Sequence, residues 1–418
     1  MVIPGLALRS LWNRRGTALL TVFSVAVSVA LLLGVEKIRT ETRASFANTI
    51  SGADLIVGAR SGALNLLLYS IFRIGDATNN VSWATYRKIA DHPDVAWTIP
   101  LSLGDSHRGH RVVGTTTAYF EHYRYARTRE LAFAAGRPFA APDEAVLGAE
   151  VARVLGYEVG TAITIAHGIG EVSFAPHDDH PFRVVGILAP TGTPVDRSVH
   201  VSLEAIEAIH LDWQSGMRLP GARPDGAAGA PDLTPTAITA FIVGLDSPIA
   251  TFQMQRAINQ YREEPLLAVM PGVALQQLWD LVGVAERALL IVAGFVVLAG
   301  LLGMLTAILT TLNERRREMA ILRSVGAKPR HVFALFVTEA ALLALAGIAL
   351  GIALVYALLA IARPLLAEHY GIFIAIGGLT RYDLSLLAVV LTAAVVMGAV
   401  PAWRAYRVSL ADGLSIRI

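Results

Sequence analysis

Four stretches of this chain run for at least 20 positions without a charged residue: 16–35 (20 residues), 288–313 (26), 340–362 (23) and 384–403 (20). Twenty helical residues at 1.5 Å each cover about 30 Å, the thickness of a bilayer's hydrocarbon core. Four transmembrane helices follow from those lengths. The composition agrees: over 418 residues, 54% are hydrophobic and 16% charged, with a mean hydropathy of +0.53. Such values exclude disorder and argue against a water-soluble globule. Cysteine is absent, which excludes disulfides, thiolate catalysis, iron–sulfur clusters and Cys-type zinc sites.

Charge distribution sets an expected topology. Arg9, Arg14 and Arg15 precede the first run. Residues 313–331 hold Arg315, Arg316, Arg317, Arg323, Lys328 and Arg330 against Glu314 and Glu318, and Arg404, Arg407 and Arg417 follow the last run. Between the third and fourth runs, Arg363 and Arg381 are balanced by Glu368 and Asp383. The positive-inside rule then places both termini and the 313–331 loop in the cytoplasm, and the long 36–287 segment outside. The first run is too long for a signal-peptide core and no small-x-small site follows it directly, so it is expected to remain as a helix.

The 36–287 segment reads as a folded α+β domain. Strand-like runs at 110–117, 161–166, 182–188 and 198–203 alternate with helical patterns at 82–90, 149–155 and 203–209. Residues 221–235 are dense in Gly, Ala and Pro and read as a surface loop. Residues 36–50 contain neither Pro nor Gly, and 273–288 contain only Gly283, so both membrane helices are expected to continue outward as stalks. On the second stalk Leu275, Leu278, Val282 and Ala285 lie at helical spacing. The fold expected is therefore an α-helical membrane protein with four transmembrane helices and a large α+β extracytoplasmic domain inserted between helices 1 and 2. Its segments are 1–15, 16–35, 36–287, 288–312, 313–331, 332–362, 363–383, 384–403 and 404–418.

Residues 313–340, NERRREMAILRSVGAKPRHVFALFVTEA, are the most informative. They describe a short helix with an apolar stripe (Met319 and Leu322, Ile321 and Val325), stopped by Gly326 and restarted at Pro329. A helix–break–helix between two spans suits docking onto another protein; arginines anchoring a helix at anionic headgroups is the alternative. ERRREMAILRSVGAKPRHV resembles the signature of MacB/FtsX-type ABC transporter permeases. The resemblance extends to the start (LALRSLWNRRGTALLTVFSVAVSVAL), to GRPFAAPDEAVLGAEVARVLGYEVGTAITI followed by FRVVGIL, and to PAWRAYRVSLADGL at the end, where Leu410-Ala411 replaces the usual Pro.

That resemblance implies an ATPase-coupling loop comprising Glu314, Arg315, Arg316, Arg317, Glu318, Met319, Leu322, Arg323, Gly326 and Lys328. No G-x-x-x-x-G-K-[ST] occurs, so ATP and magnesium are expected on a separate cytoplasmic ABC ATPase, not in this chain. The implied partners are that ATPase, a second permease chain as a homodimer, membrane lipids and a periplasmic adaptor or substrate protein; no nucleic acid is expected. The implied role is transmission of ATP-driven motion to the external domain, for export or extraction of an envelope substrate, in a bacterial cytoplasmic membrane. No Ser/His/Asp constellation or nucleophile elbow is present in the sequence, so no enzymatic site is expected here. The alternatives are a non-transporting regulator of a periplasmic or cell-wall partner and a component of zinc handling.

Three further features stand out. Glu339 is a carboxylate near the cytoplasmic end of the third helix, a functional candidate or a partner for Arg315, Arg316 or Arg330. Gly347 with Gly351, and Ser24 with Ser28, allow close helix packing within the chain or across a dimer. His167, His177, Asp178, Asp179 and His180 fall within fourteen residues and offer imidazole and carboxylate ligands for zinc, with a solvated loop as the alternative. His107, His110 and His122 form a second group. Finally, the apolar run 64–72 is too short to span; packing in the domain core is the default expectation, with the outer leaflet or a lipid-like substrate as the alternatives.

Overall fold

The computed structural model describes residues 2–126, 128–167, 181–210, 213–214, 217–218, 232–314, 316–370 and 377–407. Two compact units share the chain. One comprises Met1–Glu41, Gly283–Leu365 and Ile374–Ile418; the other comprises Thr42–Val282 and Leu366–Phe373.

Four helices are long and apolar enough to cross a membrane, Arg15–Thr49, Pro271–Leu312, Pro329–Arg363 and Arg381–Arg404, and the first unit holds all of the last two and the greater part of the first two. Each covers one of the four uncharged runs, all but Asn313 in the case of the second, so charge depletion alone located them. Small residues set how closely they pack. A Cβ on Gly347 would lie 2.6 Å from Val25 Cγ1, and one on Gly351 2.8 Å from the Ala26 carbonyl oxygen. The GxxxG of the third helix is thus used against the first helix of the same chain. Ser28 Oγ donates to Ser24 O at 2.8 Å and to Val296 O at 3.1 Å, while Gly300 gives Ser28 the space. Met304, Phe336, Ala340, Ala344, Ala394 and Ala402 are buried in the resulting core. Leu289, Ile291, Phe295, Leu358, Ile361, Val389 and Val396 are exposed, an apolar surface suited to hydrocarbon.

The second unit is built on a mixed sheet. Its main path runs Leu266–Val269, Leu55–Ala59, Ala240–Leu245, Val95–His107, His110–Thr115, Ser198–Ser202, Glu144–Leu147, Phe182–Leu188 and Phe133–Gly136. Two neighbours pair in parallel, Ser198–Ser202 with His110–Thr115 and Phe182–Leu188 with Glu144–Leu147. Leu55–Ala59 is buried at every position because both faces of the sheet are covered, as its unbroken apolar sequence requires. At the Val95–His107/His110–Thr115 hairpin, Arg108 and Gly109 both take positive φ (46° and 81°), the geometry of a two-residue turn that matches strand twist. Gly136, at φ 75°, passes so close to the neighbouring strand that a Cβ would lie 2.0 Å from Val185 O. Mixed strands with peripheral helices between the first and second long helices make this the expected α+β insertion.

Element by element, the helix Ala149–Leu155 and the strand Phe182–Leu188 coincide with their expected spans. Ser82 is the N-cap of the helix Trp83–Ala90, its Oγ accepting from Thr85 N at 3.3 Å. The expected strand 161–166 is two short pieces: Ala162–Ile163 pairs with Phe182–Arg183, and Ala166–His167 with Asp105–Ser106. The segment crosses from one partner strand to another, so no single ladder holds it. The 363–383 loop is shorter than expected, because the helix continues to Tyr370. Arg363 ends the uncharged run, but it is a good helix former and does not end the helix. Most of the 221–235 loop lies outside the described residues.

The stalk segments are helical, within Arg15–Thr49 and Pro271–Glu314. Inside the second unit their ends join its core. Phe46 meets Phe72 and Trp279 at ring-centroid distances of 4.5 and 5.6 Å, and Ala274 and Leu275 are buried. Tyr123 donates its hydroxyl to Thr49 O at 2.7 Å, and Ala126 N donates to Asn48 O at 2.7 Å. The apolar run forms a helix, Ala63–Leu67, continued by a π-turn, Leu68–Phe72, with Leu66, Leu67, Tyr69, Ile71 and Phe72 buried.

Candidate functional site

The helix Arg316–Ser324 lies between the second and third long helices. It ends where the sequence requires: Gly326 takes φ 102°, and Gly326 N and Ala327 N donate to Arg323 O and Leu322 O at 3.0 Å each. These bonds satisfy carbonyls left open at a helix C-terminus, and Pro329 starts the next helix. The apolar stripe divides. Met319 and Ala320 are buried against the membrane unit, whereas Ile321 is 53% and Val325 83% exposed. Lys328 N donates to His331 Nδ1 at 3.3 Å. Arg14 connects this helix to the bundle: it donates to Thr311 O at 3.2 Å and lies 3.9 Å from Glu318. Glu339 is buried and lines a cavity of about 40 Å³ with Arg14, Thr17, Thr21 and Thr311. Of the arginines that the sequence offered as partners for Glu339, Arg315 and the side chain of Arg316 lie outside the described residues; Arg14 lines the same cavity as Glu339.

A second polar cluster was not foreseen. Lys37 and Asp383 are both buried, Nζ lying 3.4 Å from Asp383 Oδ2 and donating to Gly378 O at 2.7 Å. Asp383 also caps the fourth helix, accepting from Thr380 N at 2.8 Å, while Asp383 N donates to Thr380 Oγ1 at 3.1 Å. This reciprocal capping box fixes the carboxylate that Lys37 reaches. Beside it Glu36 accepts two bonds from Arg39, at 2.7 and 3.0 Å. Nothing local in the sequence connects residues so far apart.

The external histidines separate by role. His107 Nδ1 donates to Thr164 O at 2.5 Å, and Nε2 accepts from Tyr157 Oη at 3.1 Å. A carbonyl only accepts, so both ring positions are used and the ring is a neutral core element; burial lowers its pKa. Burial also lowers that of His110, with Arg197 adding to the effect. His122 stacks on Trp97 at 5.1 Å. These three rings are thus not assembled as a ligand set. His200 is fully buried beside Tyr119 and Phe120, and burial, reinforced by Arg73, lowers its pKa to about 3. Among the described residues no group of three or more His, Asp and Glu side chains is arranged to hold a metal ion. His177, Asp178, Asp179, His180 and Arg315 lie outside the described residues, as do the side chains of His167, Glu314, Arg316 and Arg317.

Comparison with known proteins places this architecture. The profile of the MacB-like periplasmic core domain matches residues 18–261, and that of the FtsX-like permease C-terminal region matches residues 290–410. The macrolide export ATP-binding/permease protein MacB of Azoarcus sp. (strain BH72) is 25% identical over 363 residues, covering 83% of this chain and 50% of that protein. The chain therefore spans about half the length of this curated relative. Among solved structures, the periplasmic region of MacB from Actinobacillus actinomycetemcomitans aligns with TM-score 0.34 and 11% identity, over 55% of this chain and 94% of that one. The extracellular domain of the noncanonic ABC-type transporter YknZ from Gram-positive bacteria aligns with TM-score 0.31 and 9% identity, over 51% and 98%. With a periplasmic core profile matching more than half of its residues and an FtsX-like profile on the helices that follow, the chain belongs to the MacB/FtsX-type family of ABC transporter permeases.

Proposed function

We propose that this permease couples ATP hydrolysis on a separate cytoplasmic ATPase to conformational change in its external domain, for export or extraction of an envelope substrate. Both termini and the 313–331 loop face the cytoplasm, as the arginine bias indicates. Residues 314–328 form the docking element, and two copies of the chain stand over two nucleotide sites. The observation that carries this reading is the helix Arg316–Ser324, anchored by Met319 and Ala320 yet leaving Ile321 and Val325 exposed. An exposed apolar pair beside a run of arginines suits a partner's docking groove; a helix anchored at the headgroups would bury the same pair in lipid, and the variants below separate the two. Arg14, bonded to Thr311 O and close to Glu318, supplies a route from that helix to the first and second long helices.

Charge and surface variants test the reading directly. In a complex purified with its ATPase, Ile321→Asp with Val325→Asp should abolish co-purification. Arg316→Ala with Glu318→Ala should leave ATP turnover uncoupled from function. Retention of both co-purification and coupling would overturn the docking assignment.

A further inference from the structure

The external domain contains a cavity of about 170 Å³ whose lining includes Tyr69, Arg73, Asp76, Ala77, Leu103 and Arg111. All six belong to the second compact unit. Arg111 is already compensated: Nη1 donates to Asp76 Oδ1 at 3.0 Å and Nη2 to Gly75 O at 2.8 Å. Arg73 is not. Its Nη1 donates to Ser70 O, its Nε is buried without a hydrogen-bond partner, and no carboxylate among the described residues pairs with it. The side chains that sense its charge, Tyr119 and His200, are fully buried and neutral; burial raises the pKa of the phenol and lowers that of the imidazole. The lining thus carries two cations against one anion, in partly desolvated surroundings where an uncompensated charge is costly.

The backbone singles out the same residue. Arg73 closes the π-turn Leu68–Phe72 at φ 61°, ψ 26°, the left-handed region in which glycine or asparagine relieves strain. An arginine held there points to a use for the side chain itself. Tyr69, on the same turn, is 2% exposed, and burial pushes its hydroxyl up to about 12, so it stays protonated and able to donate. Leu103 and Ala77 supply apolar wall. A cavity of about 150 Å³ takes a molecule the size of benzene, which bounds what this one can hold.

We propose that this cavity binds a small organic monocarboxylate, its carboxylate on Arg73 and its apolar part against Leu103 and Ala77. One surplus positive charge calls for one negative charge. A carboxylate supplies it as a planar pair of oxygens that matches the guanidinium fork, and the volume limits the rest of the ligand to about one ring. Asp76 moderates the affinity by holding Arg111. The site requires only the external fold and stands apart from ATPase coupling.

The test uses the full chain in detergent, with benzoate and butyrate as probes and benzyl alcohol as the neutral counterpart of benzoate, at constant ionic strength. Thermal melting and titration calorimetry should show saturable binding of at least one carboxylate and much weaker binding of benzyl alcohol. Arg73→Gln should weaken carboxylate binding by at least ~10-fold, and Asp76→Asn, which removes the competing negative charge, should strengthen it. Melting without ligand verifies that each variant is folded. Should Arg73→Gln fail to fold, Asp76→Asn decides, since its side chain is 69% exposed: unchanged or weaker binding there would overturn the proposal. So would no saturable binding of either carboxylate, binding that survives Arg73→Gln, or benzyl alcohol binding as well as benzoate, the mark of an apolar cavity indifferent to charge.

Discussion

Single residues fix this protein where charge or strain would otherwise be costly. His200 is the clearest case. Its folded pKa of about 3 lies below its ordinary value of 6.5, so between those values the unfolded chain binds a proton that the folded chain refuses. Stability therefore falls as pH drops through that window, by about 2 kcal/mol from pH 7 to pH 5 for this group alone. Thermal melts of the full chain should show the loss, and His200→Leu should flatten it. Lys37 and Asp383 make a buried pair, for which removal of one partner costs about 3–5 kcal/mol by leaving the other charge uncompensated. Lys37→Met should lower the melting temperature, and Lys37→Met with Asp383→Leu should recover part of the loss. The pairing of Lys37 with Asp383 was not legible in the sequence, where Lys37 read as an ordinary stalk residue.

At the scale of elements, legibility followed the physical signal. Uncharged runs measure helix length directly, so all four spans were visible; Gly326 and Pro329 punctuate the helix Arg316–Ser324 in the same direct way. Short strands were less clear, because a run such as 161–166 shows apolar character but not how many partners share it. GxxxG was equally ambiguous: its glycines promise close approach without naming the neighbour. The structure gives that neighbour as the first helix, through Val25, Ala26 and Val29. Gly351→Leu should therefore separate the first and third helices within one chain, lowering the melting temperature whatever the oligomeric state. A dimer-only role would instead show as monomerisation at unchanged stability. Size-exclusion chromatography and thermal melting together distinguish the two.

For the whole molecule, the two long helices Arg15–Thr49 and Pro271–Glu314 pass without a break from residues of one compact unit to residues of the other. If they transmit motion, stiffness is their essential property. Inserting Gly-Gly-Ser-Gly after Glu41 should leave ATP turnover intact while removing ATP-dependent changes in hydrogen exchange from the external sheet. Persistence of those changes would show that the helix is dispensable for coupling.

The sheet also dictates when this protein can be finished. Gly58 in the early strand Leu55–Ala59 pairs with Ala240, and Ala59 with Leu266. Until those late strands emerge, an apolar five-residue strand has both edges open. At ~5–20 residues per second of synthesis, nearly two hundred residues take about 10–40 s. Through that interval the strand is a pairing hazard. The external domain must therefore be guarded during biogenesis and close only as its last strands arrive, with the second long helix following directly behind them.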